Sequence, residues 1–246
     1  MSAFYGLEIA KKALFVNQKA IEVTGHNIAN ANTEGYTRQR IVAQAVSPDS
    51  GPSRFANATK GLVGGGVTIK TVDQIRNEFL DKEFRKENSL KNEWATRADE
   101  LSYVESLFTE LSDTGISNSI ADFLESIQEV TKNPENKEFR TNMLQNGLKM
   151  CETFNHYYNQ LAEKQRDINE SIRVVTIKIN DIARSLSEIN YQIARYELSG
   201  QQANDLRDSR NLLLDKLSEL VDFTYSEDAS GKLTVEVGGH TLVSHM

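Results

Sequence analysis

Cysteine and proline are almost absent: one cysteine and three prolines stand in 246 residues. A single thiol, Cys151, cannot close an internal disulfide and has no spacing partner for a thiolate metal site. It falls on an apolar helical stripe, so a buried structural thiol is expected. With so little proline, long helices can run unbroken. No uninterrupted apolar run approaches the length of a membrane-crossing helix, which argues against membrane insertion. The opening MSAFYGLEIAKKALFV is not a secretory signal, because Glu8, Lys11 and Lys12 interrupt it and no small-residue cleavage site follows. The chain is expected to stay in the cytoplasm or to leave by a route without signal cleavage.

Basic charge is scarce as well. Residues 1–75 carry 8 basic and 5 acidic side chains, a net of +3; the remaining 20 basic and 30 acidic give −10. An acidic body argues against a duplex nucleic-acid binder, which needs a basic stripe to displace counterions. His26, His156, His240 and His245 are scattered, without carboxylate or thiol partners at ligand spacing. GLVGGGV lacks the Lys-Ser/Thr of a phosphate loop. No catalytic constellation, metal site or cofactor is therefore expected.

What the sequence does have is helical periodicity. Over residues 3–30, Leu7, Leu14, Ile21 and Ile28 recur every seven residues, a narrow seam suited to one partner. Residues 41–72 are rich in Ser, Pro, Asn and Gly and end in VTIKTV, an extended linker with a short β element. A second helix is predicted over 73–112, carrying Leu90, Trp94, Leu101, Val104, Phe108 and Leu111. A third carries Ile116, Ile120, Phe123, Ile127 and Val130 and stops at Asn133-Pro134. The fourth, over 136–199, places thirteen apolar or aromatic residues on the fourteen-position stripe from Cys151 to Tyr196. Gly200 ends it, and Asn204 opens a fifth helix with Leu206, Leu213, Leu217 and Leu220 inward. The second and fifth helices should run antiparallel to the fourth and cover opposite ends of it. Residues 223–246 switch to period two, with Gly238-Gly239 as a two-residue turn, and read as the start of a truncated β region.

The fold class expected is mainly α. It is an elongated antiparallel bundle of long heptad-repeat helices, with an N-terminal helix, a small β linker and an incomplete C-terminal β-hairpin. The expected domains are an N-terminal helix domain (1–40), the linker (41–72), a long-helix bundle (73–222) and the truncated β region (223–246).

One segment is more specific than its periodicity. In GHNIANANTEGYTRQR, residues 25–40, asparagines crowd a helix end, where their amides can cap freed backbone groups or bond a neighbouring chain. Asn27, Ile28, Ala29, Asn30, Thr33, Gly35 and Tyr36 match the pattern N-I-A-N-x-x-T-x-G-[YF]. That pattern resembles the N-terminal signature of flagellar rod, hook and hook-associated proteins. Thr37-Arg38-Gln39-Arg40, Gly25-His26, the linker residues Gly65-Gly66-Val67 with Ile75-Arg76, Asn133-Pro134 with Arg140, and NDLRDSRNLLLDKLSELV at 204–221 are most similar to the hook-associated protein 1 branch. Glu34 departs from the family's common proline, which should loosen the turn.

The resemblance implies a secreted structural subunit of the bacterial flagellum, self-associating in a tubular array at the hook–filament junction. Its implied partners are the hook protein, a second hook-associated protein, the flagellar type III exporter and a dedicated export chaperone. The chaperone's site is expected in a C-terminal part absent from this sequence. That absent part includes the helix that pairs with the first helix, so the seam is expected to lack its intramolecular partner. Asn27, Asn30, Thr33, Gly35 and Tyr36 are implied as a helix-ending contact, and Leu7, Leu14, Ile21 and Ile28 as the assembly seam. Two alternatives stay open: another axial subunit of rod or hook, or a cytoplasmic coiled-coil adaptor.

Overall fold

A computed structural model of the chain describes residues 3–47, 64–108, 115–198, 200–228 and 231–244. Among them are five helices, α1 (Ala3–Ala29), α2 (Glu78–Leu107), α3 (Ile116–Lys132), α4 (Lys137–Glu197) and α5 (Asn204–Ser218). Five strands accompany them: β1 (Gln39–Ala45), β2 (Val67–Gln74), β3 (Thr224–Glu227), β4 (Leu233–Val237) and β5 (His240–Val243). The mainly helical class is as expected. Leu111 of the predicted second helix lies outside the described residues. The chain divides into two compact units that do not follow chain order: residues 1–89 with 180–246, and residues 90–179.

In the first unit α1 packs on the antiparallel pair β1–β2. The linker's expected β element is thus two paired strands, Ile41 opposite Val72, with a register shift between Val42 and Ala43. The core lies at the other end of the chain. Leu186 and Ile193 of α4, Leu214 and Leu217 of α5, Leu233 and Val235 of β4 and Val243 of β5 are buried. The expected C-terminal hairpin is present, and Gly238 and Gly239 both take positive φ, +56° and +80°, as a tight turn of that hand requires. A third strand, β3, pairs with β4 to give the order β3-β4-β5. TYSE at 224–227 has too little apolar alternation to be recognised as a strand alone.

Polar side chains hold this core in register. Asn190 of α4 donates to the Leu233 carbonyl (2.7 Å), and Arg210 of α5 donates to the Gly231 carbonyl (2.7 Å) and to Glu227 (2.6 Å). Arg207 grips Glu197 with two hydrogen bonds, 2.7 and 2.8 Å, and reaches Glu227 at 2.8 Å. This bidentate partner holds the Glu197 carboxyl below the usual range and raises Arg207, despite the opposing effect of burial.

In the second unit α2 runs antiparallel to α4, with Glu100 on Lys164 and Phe108 stacked on Tyr157. The start of α4 is covered by α3: Lys149 pairs with Asp122, the Ser119 and Thr153 hydroxyls lie 3.2 Å apart, and Gly147 admits the Phe123 ring. The expectation that α2 and α5 would cover opposite ends of α4 is corrected accordingly: α3 takes the first end and α5 the last. A Cβ at Gly147 would stand 3.1 Å from the Phe123 ring, so any larger residue would need the ring to give by a few tenths of an ångström.

The stripe on α4 is also corrected in part. Leu186 and Ile193 are buried, but Cys151, Phe154 and Tyr158 are exposed, while Met150, Thr153 and Tyr157 turn inward. A straight helix advances about 100° per residue, so a strict 3.5 repeat drifts by about 20° per heptad. Counted back from Ile193, Met150 lies about 20° from its face and Cys151 about 120°. Cys151 is therefore a free exposed thiol, not a buried one.

Truncating Leu217 to Ala should destabilise the first unit by about 2–5 kcal/mol in urea unfolding, the range for a buried leucine. Glu197, whose folded pKa is depressed, contributes stability above its unfolded value of about 4.3 and loses it as pH falls further. Thermal melts of Glu197→Gln should therefore fall less steeply than wild type below about pH 4.

Candidate functional site

The segment after α1 forms an elbow over residues 30–38, and its geometry starts from one amide. Asn27, in the last turns of α1, donates from Nδ2 to the Gln39 carbonyl (2.9 Å), and its Oδ1 accepts the Gln39 N–H (2.9 Å). The side chain thereby pairs with both backbone groups of the first residue of β1, as a neighbouring strand would. Its Oδ1 also accepts the Tyr36 hydroxyl at 2.8 Å. Helix, turn and strand are closed on a single residue.

The other asparagine works locally. Asn30 donates to the His26 carbonyl and accepts the Thr33 hydroxyl (3.2 Å), ending the helix with side-chain bonds. Gly35 takes φ +78° and lies against Leu212 of α5, where a Cβ would meet the leucine Cβ at 3.0 Å. Both conformation and space require glycine there. Glu34 is exposed, and the turn forms without the family's proline. The Tyr36 ring is half-buried and meets His26 edge-on, with centroids 5.4 Å apart.

The elbow is docked on the first turns of α5. Asp208 accepts the Thr37 N–H at 3.0 Å. Asp205 accepts the Gln39 side-chain amide (2.9 Å) and lies 3.3 Å from His26 Nε2. Asn204 donates to the Val72 carbonyl (2.8 Å) and to Gln39 Oε1 (3.3 Å). Arg76 joins Thr37 Oγ1 (3.2 Å) to Asp81 (2.6 Å). Burial pushes the Asp208 carboxyl up, against the Thr37 hydrogen bonds that lower it; burial and then Asp205 and Asp208 push the Tyr36 phenol up.

The structure thus brings Asn27, Asn30, Thr33, Gly35 and Tyr36 together, while Ile28 and Ala29 face outward. The seam residues stand apart from the elbow: Leu7 is 67 % exposed, Leu14 59 %, Ile21 73 % and Ile28 72 %. The opposite face of α1, with Ile9, Ala13, Val16, Ala20 and Val23, is half-buried. Sequence reasoning about the motif alone missed Gln39, Asn204, Asp205 and Asp208. The signal was present in NDLRDSRN, where polar residues recur at helical spacing on what would otherwise be a buried helix. Among the described residues no group of His, Cys, Asp or Glu could hold a metal ion, and no helix is long and apolar enough to cross a membrane.

The class of the chain follows from the proteins it matches. Residues 7–37 match the family model of flagella basal body rod proteins. Residues 101–246 match that of the flagellar hook-associated protein FlgK helical domain, and the chain belongs to this FlgK family. Flagellar hook-associated protein 1 of Bacillus subtilis is 36% identical over 230 residues, 94% of this chain and 45% of that protein. Its namesake in Salmonella typhimurium is 27% identical over 238 residues, 95% of this chain and 41% of that one. The chain thus spans less than half the length of the curated relatives it matches. In fold it is similar to the flagellar hook junction protein FlgK from Burkholderia pseudomallei, with a TM-score of 0.57 and 22% identity over 68% of this chain and 29% of that one.

Replacing Asn27 by Ala strips three hydrogen bonds and should cost about 1–3 kcal/mol, read as faster hydrogen exchange at the Gln39 amide. Asn27→Asp, which keeps the acceptor and loses the donor, should fall between. Gly35→Ala should cost about 1–2 kcal/mol from its backbone alone, with Leu212 adding to it.

Proposed function

We propose that the chain is the N-terminal part of a structural subunit of the bacterial flagellum, polymerising at the hook–filament junction and catalysing no reaction. The observation that carries this reading is the exposed line of Leu7, Leu14, Ile21 and Ile28 on α1, whose other face is spent on β1 and β2. Four large aliphatic residues in one line on a solvent-facing helix call for an apolar partner. Asn27, Ile28, Ala29, Asn30, Thr33, Gly35 and Tyr36 serve as the assembly motif, because the elbow they build sets the direction in which α1 leaves β1.

In this reading further copies of the subunit surround each one in a tubular array, α1 lines the inside and the longer helices form the shell. The hook protein and a second hook-associated protein flank the array. The subunit reaches the outside through the flagellar type III exporter without signal cleavage, with a dedicated export chaperone. The names of the relatives, hook-associated protein 1 and hook junction protein, support the location. The match over residues 101–246 favours the junction over rod or hook, whose shared signature at 7–37 does not discriminate.

Ile21→Asp changes an exposed residue and should shift folding stability by no more than about 0.5 kcal/mol, yet block incorporation of the full-length protein into flagella. Sheared flagella analysed by mass spectrometry check it. Incorporation at the wild-type level would count against the seam.

A further inference from the structure

Asp208 is the buried carboxyl of the dock between the elbow and α5, with 5 % of its surface exposed. Its Oδ2 accepts the Thr37 N–H at 3.0 Å, while its Oδ1 is enclosed by protein and has no hydrogen-bond partner. The Thr37 amide needs only an acceptor, which a neutral side chain would provide as well. An ionised carboxylate therefore brings a charge that this hydrogen bond does not require, into a place where water does not solvate it.

The groups around Asp208 do not neutralise that charge. Asp205, one turn earlier on α5, adds a second carboxylate, and Glu34 and Tyr36 of the elbow line the same recess. From α1 comes His26, whose Nε2 lies 3.3 Å from Asp205 and so faces the other carboxylate. The Arg76 guanidinium favours the ionised form, but it is shared among Thr37 Oγ1, Asp81 and Asp215. Burial outweighs Arg76 and the Thr37 hydrogen bonds and pushes the carboxyl up, with Asp205 adding to the rise.

We propose that this dock is a proton-operated latch, closed more firmly when Asp208 carries a proton than when it is ionised. A carboxyl that holds its proton more firmly in the docked state stabilises docking as pH falls through its raised value, and the latch is loosest above it. Thr37 stays bonded in both states, because either form of the carboxyl keeps an acceptor at Oδ2. The difference is the buried charge. Since the same elbow fixes the direction in which α1 leaves β1, the proton on one side chain of α5 governs how firmly that direction is held. The latch rests on the geometry of the elbow and not on the junction reading.

NMR of the isotopically labelled chain tests it in two measurements. The first follows the Asp208 carboxyl carbon against pH. The second follows amide exchange at Thr37 and Gln39, each divided by its intrinsic rate, with the Leu214 amide as reference for opening of the whole unit. The Asp208 signal is expected to titrate above the ordinary aspartate value of about 3.9. Protection of Thr37 and Gln39 relative to Leu214 is expected to rise as pH falls through that midpoint. Asp208→Asn, which keeps an acceptor for Thr37, should lose the rise and hold the acid-side protection at every pH. A midpoint at or below the ordinary value overturns the latch, as does protection that stays flat or falls toward acid, or the same rise in Asp208→Asn. If that variant does not fold, the two wild-type measurements decide by themselves.

Discussion

The burial of a polar helix is the constraint on which the first unit depends. Six residues of α5 are buried, and four of them, Asn204, Asp208, Arg210 and Ser218, are polar or charged. An unmatched buried polar group costs more than a matched one contributes, so the hydrogen bonds that each of these four does make fix its direction. Asn204 finds β2 and Gln39, Asp208 finds Thr37, Arg210 finds Gly231 and Glu227, and Ser218 finds Asn88. Outside that buried set, Asp215 meets Arg85 at 2.7 Å. Elbow, strand pair, start of α2 and C-terminal sheet are all oriented by one short helix. Leu214 and Leu217 supply apolar burial, and the polar residues supply the choice of neighbours.

Buried and exposed apolar side chains are placed on different elements. All seven buried apolar side chains among the described residues belong to the last part of α4, to α5 and to the C-terminal sheet. By contrast α1 gives half its circumference to β1 and β2 and leaves its largest aliphatics outside. The second unit holds buried Ser119 and Ser126 where its helices approach closely, while Trp94, Leu101, Leu144 and Tyr158 remain exposed.

Helix positions were legible because 3.6- and 3.5-residue repeats and their stops are local properties. Asn133-Pro134, Gly200 and the Gly238-Gly239 turn fell where the backbone demanded them. The elbow was legible as a motif, and Asn27, Gly35 and Tyr36 carry it. The docking side was not, because Asp205 and Asp208 look like any solvated helix face until Thr37 and Gln39 are brought to them across more than 160 positions of chain. Nor could β3 be read from TYSE, whose pairing with β4 is a choice made by the sheet.

The amino-acid order by itself determined that helices form, where Pro134 and Gly200 stop them, where the turns fall and which residues build the elbow, since each is decided within a few residues of backbone. The start of α2 was not, because Asp73 and Gln74, expected in that helix, pair in β2. Which face of each helix is buried was left to the tertiary structure. Along α4 the 3.5-residue stripe and the helix's own 3.6-residue turn diverge, and only the neighbours decide whether Met150 or Cys151 points inward. The same holds for the match between elbow and α5, because a hydrogen bond between distant residues has no signature in either segment taken alone.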